Sequence, residues 1–257
     1  MALANSVGTV QNQVQVDPLR KLTTPLNAPA YPMLPYHFVD REYVRIAYRT
    51  DADALRSVVP EPLVVGDPVV RFEVIRMPDS TGLGSYHECG QIAVVEHEGE
   101  LVDYNLGLYV DSVPAIVSGR EFGAYPKKGG SPHLFVDSDT LVATLDYGSL
   151  RVATATMGYK HSARDAEDAR AEICLPTYQV KIVRGDHGEV RECALVTTTV
   201  SKITVKGAWF SPGRLQLFAH ALAPLADLPV LEVVAATHIL TDLTLGPVEQ
   251  VYDYKEH

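Results

Sequence analysis

The sequence predicts a mainly β protein with a few short helices, an α+β chain dominated by strands. Three observations lead there. Strand-length runs rich in β-branched and aromatic residues recur along most of the chain. Helix signals are brief and isolated. No linker, composition shift or internal repeat divides the chain, so residues 21–257 read as one domain behind a flexible tail at 1–20.

Met1 to Val16 is rich in Gln, Asn, Ser and Val without a period, and it lacks the charged segment and apolar core of a signal peptide. Pro18, Pro25, Pro29, Pro32 and Pro35 impose an extended, irregular lead-in. Strands are then expected at Tyr43–Arg49, Val69–Arg76, Gln91–His97, Leu101–Tyr109, Leu141–Asp146 and Leu150–Lys160. Further strands are expected at Tyr178–Arg184, Val190–Val200 and Ile203–Trp209. Asp146-Tyr147-Gly148-Ser149 and Gly185-Asp186-His187-Gly188 have the composition of hairpin turns. Thr50 and Asp53 suggest a cap for a helix over Ala54–Val59, stopped by Pro60. Pro114 suits a first helical position before Ala115–Phe122, with Gly123 as the stop, and Ser162 could cap Ala163–Ile173.

Composition narrows the function. The 257 residues are 46% apolar and 21% charged, the balance of a folded globular chain. Net charge is −10 and no basic cluster exceeds a pair, which argues against nucleic acid or an anionic membrane as the main partner. A small anionic substrate stays possible through local chemistry. Cys89, Cys174 and Cys193 are too scattered for a disulfide framework or a zinc site, and reduced thiols fit a cytoplasmic location. No apolar run reaches about 18 residues, the length of a spanning helix. The histidines are dispersed without ligand spacing, and no metal is expected.

Nucleotide-binding glycine loops, His-Glu-x-x-His and Gly-x-Ser-x-Gly are absent. The unusual segment is Ala124-Tyr125-Pro126-Lys127-Lys128-Gly129-Gly130. Two lysines between a proline and two glycines suit a surface turn. They suit less directly a lysine held firmly, because Pro126 fixes its own φ and drives Tyr125 toward an extended conformation. The segment alone does not choose.

Its context does. Gly119-Arg120-Glu121 followed by Ala124-Tyr125-Pro126-Lys127-Lys128 resembles the active-site sequence of the acetoacetate decarboxylase family. The likeness extends through Asp40-Arg41-Glu42-Tyr43, Val59-Pro60-Glu61-Pro62-Leu63, Val70-Arg71-Phe72-Glu73, Thr81-Gly82-Leu83-Gly84 and His87-Glu88. It continues with Leu134 to Leu141, Leu145-Asp146-Tyr147-Gly148, Arg151 to Lys160 and Arg214 to Phe218. Collinear matches thus run from about Thr23 to Tyr254.

The resemblance implies decarboxylation of acetoacetate, a small β-keto acid, to acetone and carbon dioxide without a cofactor. It places Lys127 at the Schiff-base position, Lys128 at its lysine neighbour, Glu88 at the active-site glutamate, Glu73 at a second acid and Arg41 at the pocket mouth. Phe38, Tyr125, Leu106 and Leu108 are candidates for the apolar wall. Asn105-Leu106-Gly107-Leu108 departs from the methionine-rich segment of the family, which bears on the chain length accepted. The resemblance further implies a closed, cone-like antiparallel β-barrel and a large homo-oligomer, a dodecamer.

A Schiff base requires a neutral amine, and a lysine at the reference pKa of about 10.4 is almost wholly charged near pH 7. Removal from water or repulsion from Lys128 could supply neutrality. In an extended segment the two side chains point to opposite faces, so desolvation is the expected cause. Two other readings stand beside this one: a Schiff-base aldolase or dehydratase of the same fold acting on pyruvate, and a non-catalytic binder of small molecules.

Overall fold

The β-branched and aromatic runs form strands at every expected position in the computed structural model, which describes residues 16–256. The expected tail lies outside the described residues up to position 15; beyond it, Pro18–Arg20 forms one 3-10 turn capped by the Asp17 carboxylate. The main sheet gathers β1 (Tyr36–Arg49), β2 (Val69–Met77), β4 (Tyr86–His97), β5 (Glu100–Val110), β11 (Thr177–Arg184), β12 (Val190–Phe210) and β14 (Glu232–Asp253). Hydrogen-bonded neighbours run β12-β11-β5-β4-β2-β1-β14, and β12 also pairs with β14. Short strands β3 (Asp79–Ser80), β6 (Lys127–Gly129) and β10 (Ser162–Ala163) attach to β1, β5 and β12. A second sheet has the order β13-β9-β8-β7, from β7 (Ser131–Asp137), β8 (Thr140–Tyr147), β9 (Leu150–Gly158) and β13 (Gly213–Leu217).

Alternation explains why β1 is buried almost continuously after Glu42. Val44, Ile46 and Tyr48 point one way and join Phe72, Val74, Leu141, Leu145 and Val152 in a core between the two sheets. Tyr43 and Arg45 point the other way, into a cavity inside the main sheet. A strand covered on both faces loses the hydrophobic-polar alternation of a half-buried one. Each fully buried large side chain here stabilises the fold by about 1.5–3 kcal/mol.

Pairing is antiparallel except along β5, which pairs in parallel with β6 and with β11. The family expectation of a wholly antiparallel sheet is corrected there, because β6 returns to β5 through a helical crossover and not a hairpin. That crossover is α2 (Val113–Gly123), capped by Ser112, with Pro114 in its first turn. Gly123 is its last residue, and Ala124 takes the left-handed turn at φ 56°. The other helices differ from expectation at their starts. For α1 (Ala52–Arg56) the cap is Asp51, whose carboxylate accepts from Ala54 N at 2.8 Å. For α3 (Ala166–Ile173) it is Asp165, while Ser162 and Ala163 pair with β12.

Three departures concern strands. The expected strands at Val190–Val200 and Ile203–Trp209 are one strand, β12, carried through a bulge where Lys202 has φ 51°. β14 spans 22 residues through Gly246 and Pro247, where its pairing with β12 shifts register. β14, like β7 and β13, escaped the sequence reading altogether.

Candidate active site

Lys127 opens β6, and its backbone is fixed before its side chain acts. Tyr125 N donates to Gly119 O at 3.1 Å, Leu108 N donates to Pro126 O at 3.1 Å, and Arg120 Nη1 donates to Lys127 O at 3.1 Å. The side chain passes over Gly119, where a Cβ would stand 2.7 Å from Lys127 Cδ and Cε. Glycine is therefore required at that point of α2 for the lysine to lie flat against the helix. Lys127 is 8% exposed. This burial is the condition that the expectation of desolvation requires.

The Lys127 Nζ lies 2.8 Å from Glu88 Oε2 and near the rings of Tyr125 (5.4 Å) and Tyr86 (5.9 Å). The approach angle leaves Glu88 Oε2 without a formed hydrogen bond among the described residues, so the contact is one of charge and proximity. The tyrosines remain protonated: burial pushes Tyr125 up to about 12, and burial with the adjacent Glu88 pushes Tyr86 well above its usual value. The Tyr125 hydroxyl sits 2.8 Å from Thr198 Oγ1.

The cavity around this pair has a volume of about 80 Å³ and is lined by Phe38, Arg41, Tyr43, Glu73, Tyr86 and Leu108, among others. Two bulges aim its walls. β1 slips register between Phe38 and Arg41, with Asp40 at φ 55°, so residues three apart both face inward. Lys206 Nζ holds that bulge, 2.6 Å from both Asp40 and Asp242. β5 slips opposite Gln91 and Ile92, which likewise turns both Asn105 and Leu108 inward.

Arg41 stacks its guanidinium over Phe38 (4.9 Å) and Tyr43 (4.8 Å), and its Nε is buried with no hydrogen-bond partner among the described residues. Burial lowers its proton affinity, but Tyr43, Tyr86, Glu88 and Glu73 outweigh this and hold it above the usual arginine value. An unsatisfied buried guanidinium donor facing a cavity suits an incoming carboxylate.

Below Lys127 the cavity has an ionic floor. Arg45 Nε meets Glu73 Oε2 at 2.8 Å and Arg45 Nη1 meets Glu172 Oε1 at 3.2 Å; Arg164 pairs with Glu172, and Arg71 with Asp103. Burial would strip the Arg45 charge, but Glu73 and Glu172 overcome it and keep the guanidinium charged. A further cavity of about 350 Å³ lies against Arg45, Arg71 and Glu172.

Burial lifts Asp103 to about 6 despite the opposing pull of Arg71 and Arg45. Its carboxyl carbon signal, assigned with Asp103→Asn, should therefore titrate near pH 6. Between about 4, the unfolded value, and 6 the folded protein binds a proton that the unfolded chain has released. This group's contribution to stability thus falls as pH rises across that window and is level above it. A midpoint near 4 would contradict the assignment.

Of the residues singled out from sequence, the fold brings together Lys127, Glu88, Glu73, Arg41, Phe38, Tyr125 and Leu108. Leu106 and Lys128 are not with them: both line a separate cavity with Tyr109, Arg120 and Leu228. Leu106 is corrected by the β5 bulge, which breaks the period of two between it and Leu108. Lys128 faces away as the alternation requires; it donates to the Leu222 carbonyl and lies 5.2 Å from the Tyr147 ring centre. Lys128→Met should keep most of the activity, with kcat reduced less than about tenfold; a loss near that of a Lys127 variant would show that its charge acts on the site.

Sequence reading missed Arg45, Asp103, Asn105 and Thr198. Arg45 was reachable, since counting by two from Arg41 and Tyr43 leads to it.

Comparison with known proteins finds relatives over nearly the whole chain. A family model described as acetoacetate decarboxylase matches residues 23–255. An acetoacetate decarboxylase of Streptomyces nogalater is 62% identical over 238 residues, 93% of this chain and 98% of that protein. A solved structure from structural studies of acetoacetate decarboxylase has a TM-score of 0.91 at 55% identity, covering 92% of this chain and 97% of that one. The crystal structure of the Legionella pneumophila acetoacetate decarboxylase has a TM-score of 0.88 at 41% identity, covering 99% of this chain and 100% of that one. On a family match across nearly all of its length, the chain belongs to the acetoacetate decarboxylase family.

Proposed function

We propose that this protein decarboxylates acetoacetate to acetone and carbon dioxide through a Schiff base on Lys127. One observation carries the reading: a buried lysine amine 2.8 Å from a buried carboxylate, in a small cavity walled by aromatic rings.

Arg41 receives the substrate carboxylate. Transfer of a proton from the Lys127 ammonium to Glu88 yields the amine, which attacks the ketone carbon; the proton on nitrogen moves to oxygen, and Glu88 returns its proton as water leaves. The resulting iminium accepts the electron pair of the breaking carbon–carbon bond, and carbon dioxide departs. The enamine takes up on carbon a proton from solvent, the one proton that the overall reaction consumes. Addition of water then releases acetone and restores Lys127. Glu73, held by Arg45, places negative charge in the same cavity as the leaving carboxylate, which favours its conversion to a neutral gas.

The acid beside the lysine favours this over an aldolase or dehydratase of the same fold, since it can cycle protons at nitrogen. The binder reading leaves the lysine–glutamate contact without a purpose. Borohydride added with acetoacetate should fix a reduced adduct on Lys127, located by peptide mass. Absence of that adduct in active protein would refute the scheme.

Three further readings belong to the proposal. The main sheet closes into a cone-like barrel, supported by the pairing of β12 with both β11 and β14. Residues 21–257 act as one domain, supported by core contacts that join both sheets. The protein works in the cytoplasm as a large homo-oligomer; exposed apolar side chains such as Val113, Leu222 and Leu231 offer surface for contacts between copies. Among the described residues no helix is long and apolar enough to cross a membrane.

A further inference from the structure

The parallel ladder between β5 and β11 holds only two residue pairs, Thr177 with Asp103 and Tyr178 with Tyr104. Side chains continue the seam where the backbone bonding stops. Asn105 Nδ2 donates to Gln179 Oε1 at 3.1 Å, and Gln179 Nε2 donates to Gly123 O at 2.7 Å. Gln179 is 1% exposed and Asn105 4%. Asn105 lines the cavity that holds Lys127.

The direction of this chain is set by its far end. A carbonyl can only accept, so the Gln179 amide must turn its nitrogen to Gly123 and its oxygen to Asn105. Gly123 is the last residue of α2 and has one of the terminal carbonyls that the helix itself cannot satisfy. Gln179 satisfies it from a neighbouring strand. Only Ala124, Tyr125 and Pro126 separate that carbonyl from Lys127.

We propose that Gln179 is a positioning residue for the reaction: its buried amide anchors the turn that delivers Lys127 and, through Asn105, orients the cavity's polar wall. The observation behind this is one side chain that bonds both the helix end before the lysine and a wall of its cavity. The inference rests on Lys127 being the reacting amine. Gln179 itself touches no reacting atom, so its effect passes through geometry, where a displacement of about 1 Å can cost about a hundredfold.

The test compares wild type with Gln179→Leu and Gln179→Glu, each verified as folded by circular dichroism at the assay temperature. Gln179→Leu should lower kcat for acetoacetate, and the rate of borohydride trapping, by about ten- to a hundredfold. KM should change less. Gln179→Glu discriminates a directed hydrogen bond from mere packing. Its neutral acid can donate to Gly123 O and accept from Asn105, whereas its carboxylate cannot donate. Its activity relative to wild type should therefore be highest at low pH and fall as pH rises, while the ratio for Gln179→Leu stays flat. Taking ratios cancels the titration of Asp103. A wild type that is not labelled at Lys127 overturns the reaction reading and this inference with it. Labelling of wild type and of folded Gln179→Leu at equal rates overturns the role of Gln179 alone, as does a Gln179→Glu ratio that does not vary with pH.

Discussion

Lys127→Met is expected to lower decarboxylation of acetoacetate by about 10⁵-fold or more and to abolish borohydride labelling. Losses of that order follow removal of a covalent nucleophile, and 10⁵ corresponds to about 7 kcal/mol of barrier. Methionine is the informative replacement because its unbranched, apolar chain can follow the path of the lysine across Gly119. The fold should persist: the backbone of this segment is held by hydrogen bonds to Gly119, Leu108 and Arg120, none of which uses the amine. Single-turnover assays with mass analysis of the peptide would measure both outcomes. Retention of more than about a hundredth of wild-type activity would exclude the amine as nucleophile.

Glu88→Gln should lower kcat by about 10²–10⁴-fold, the range for removal of a positioned acid or base. The substitution keeps the shape of the side chain and removes its ability to take up a proton from Nζ, 2.8 Å away. Labelling at Lys127 should continue, more slowly, because the amine is still present. The two variants therefore differ in kind: one loses the adduct, the other forms it and turns over poorly. A Glu88→Gln enzyme with normal kcat would leave the carboxylate a structural partner of a buried lysine.

Lys127, Glu88, Glu73 and Arg41 were legible through the family resemblance, whereas strand alternation decided only how Lys127 stands to its neighbour. Lys127 and Lys128 were separated correctly by it, one facing the cavity and the other the Leu222 carbonyl. The same rule fails at Leu106, where a bulge in β5 adds a residue beside Gly107; a glycine inside a strand hints at a bulge but not at which face follows. The bulge at Asp40 is silent, because a non-glycine residue adopts the positive φ with help from Lys206 and Asp242, distant in sequence. β14 was hidden for another reason: Pro247 inside a strand argues against a ladder, and the register shift that tolerates it is a property of its pairing with β12. Arg45, Asp103 and Gln179 were missed because their importance lies in partners from other strands and helices. Family resemblance marks positions; it does not reveal which buried amide meets which carbonyl.

The ionic floor limits how this chamber could be reshaped. Trimming Arg45 alone would strand Glu73 and leave Glu172 to Arg164, and trimming Asp103 alone would take from Arg71 its ion-pair partner, with a loss of about 3–5 kcal/mol where a buried charge is abandoned. Exchange of matched opposite charges for apolar residues of equal bulk escapes that cost. Redesign for bulkier acids must therefore proceed by coordinated replacement, and stepwise routes toward the space beyond Arg45 cross a valley of poorly folded intermediates.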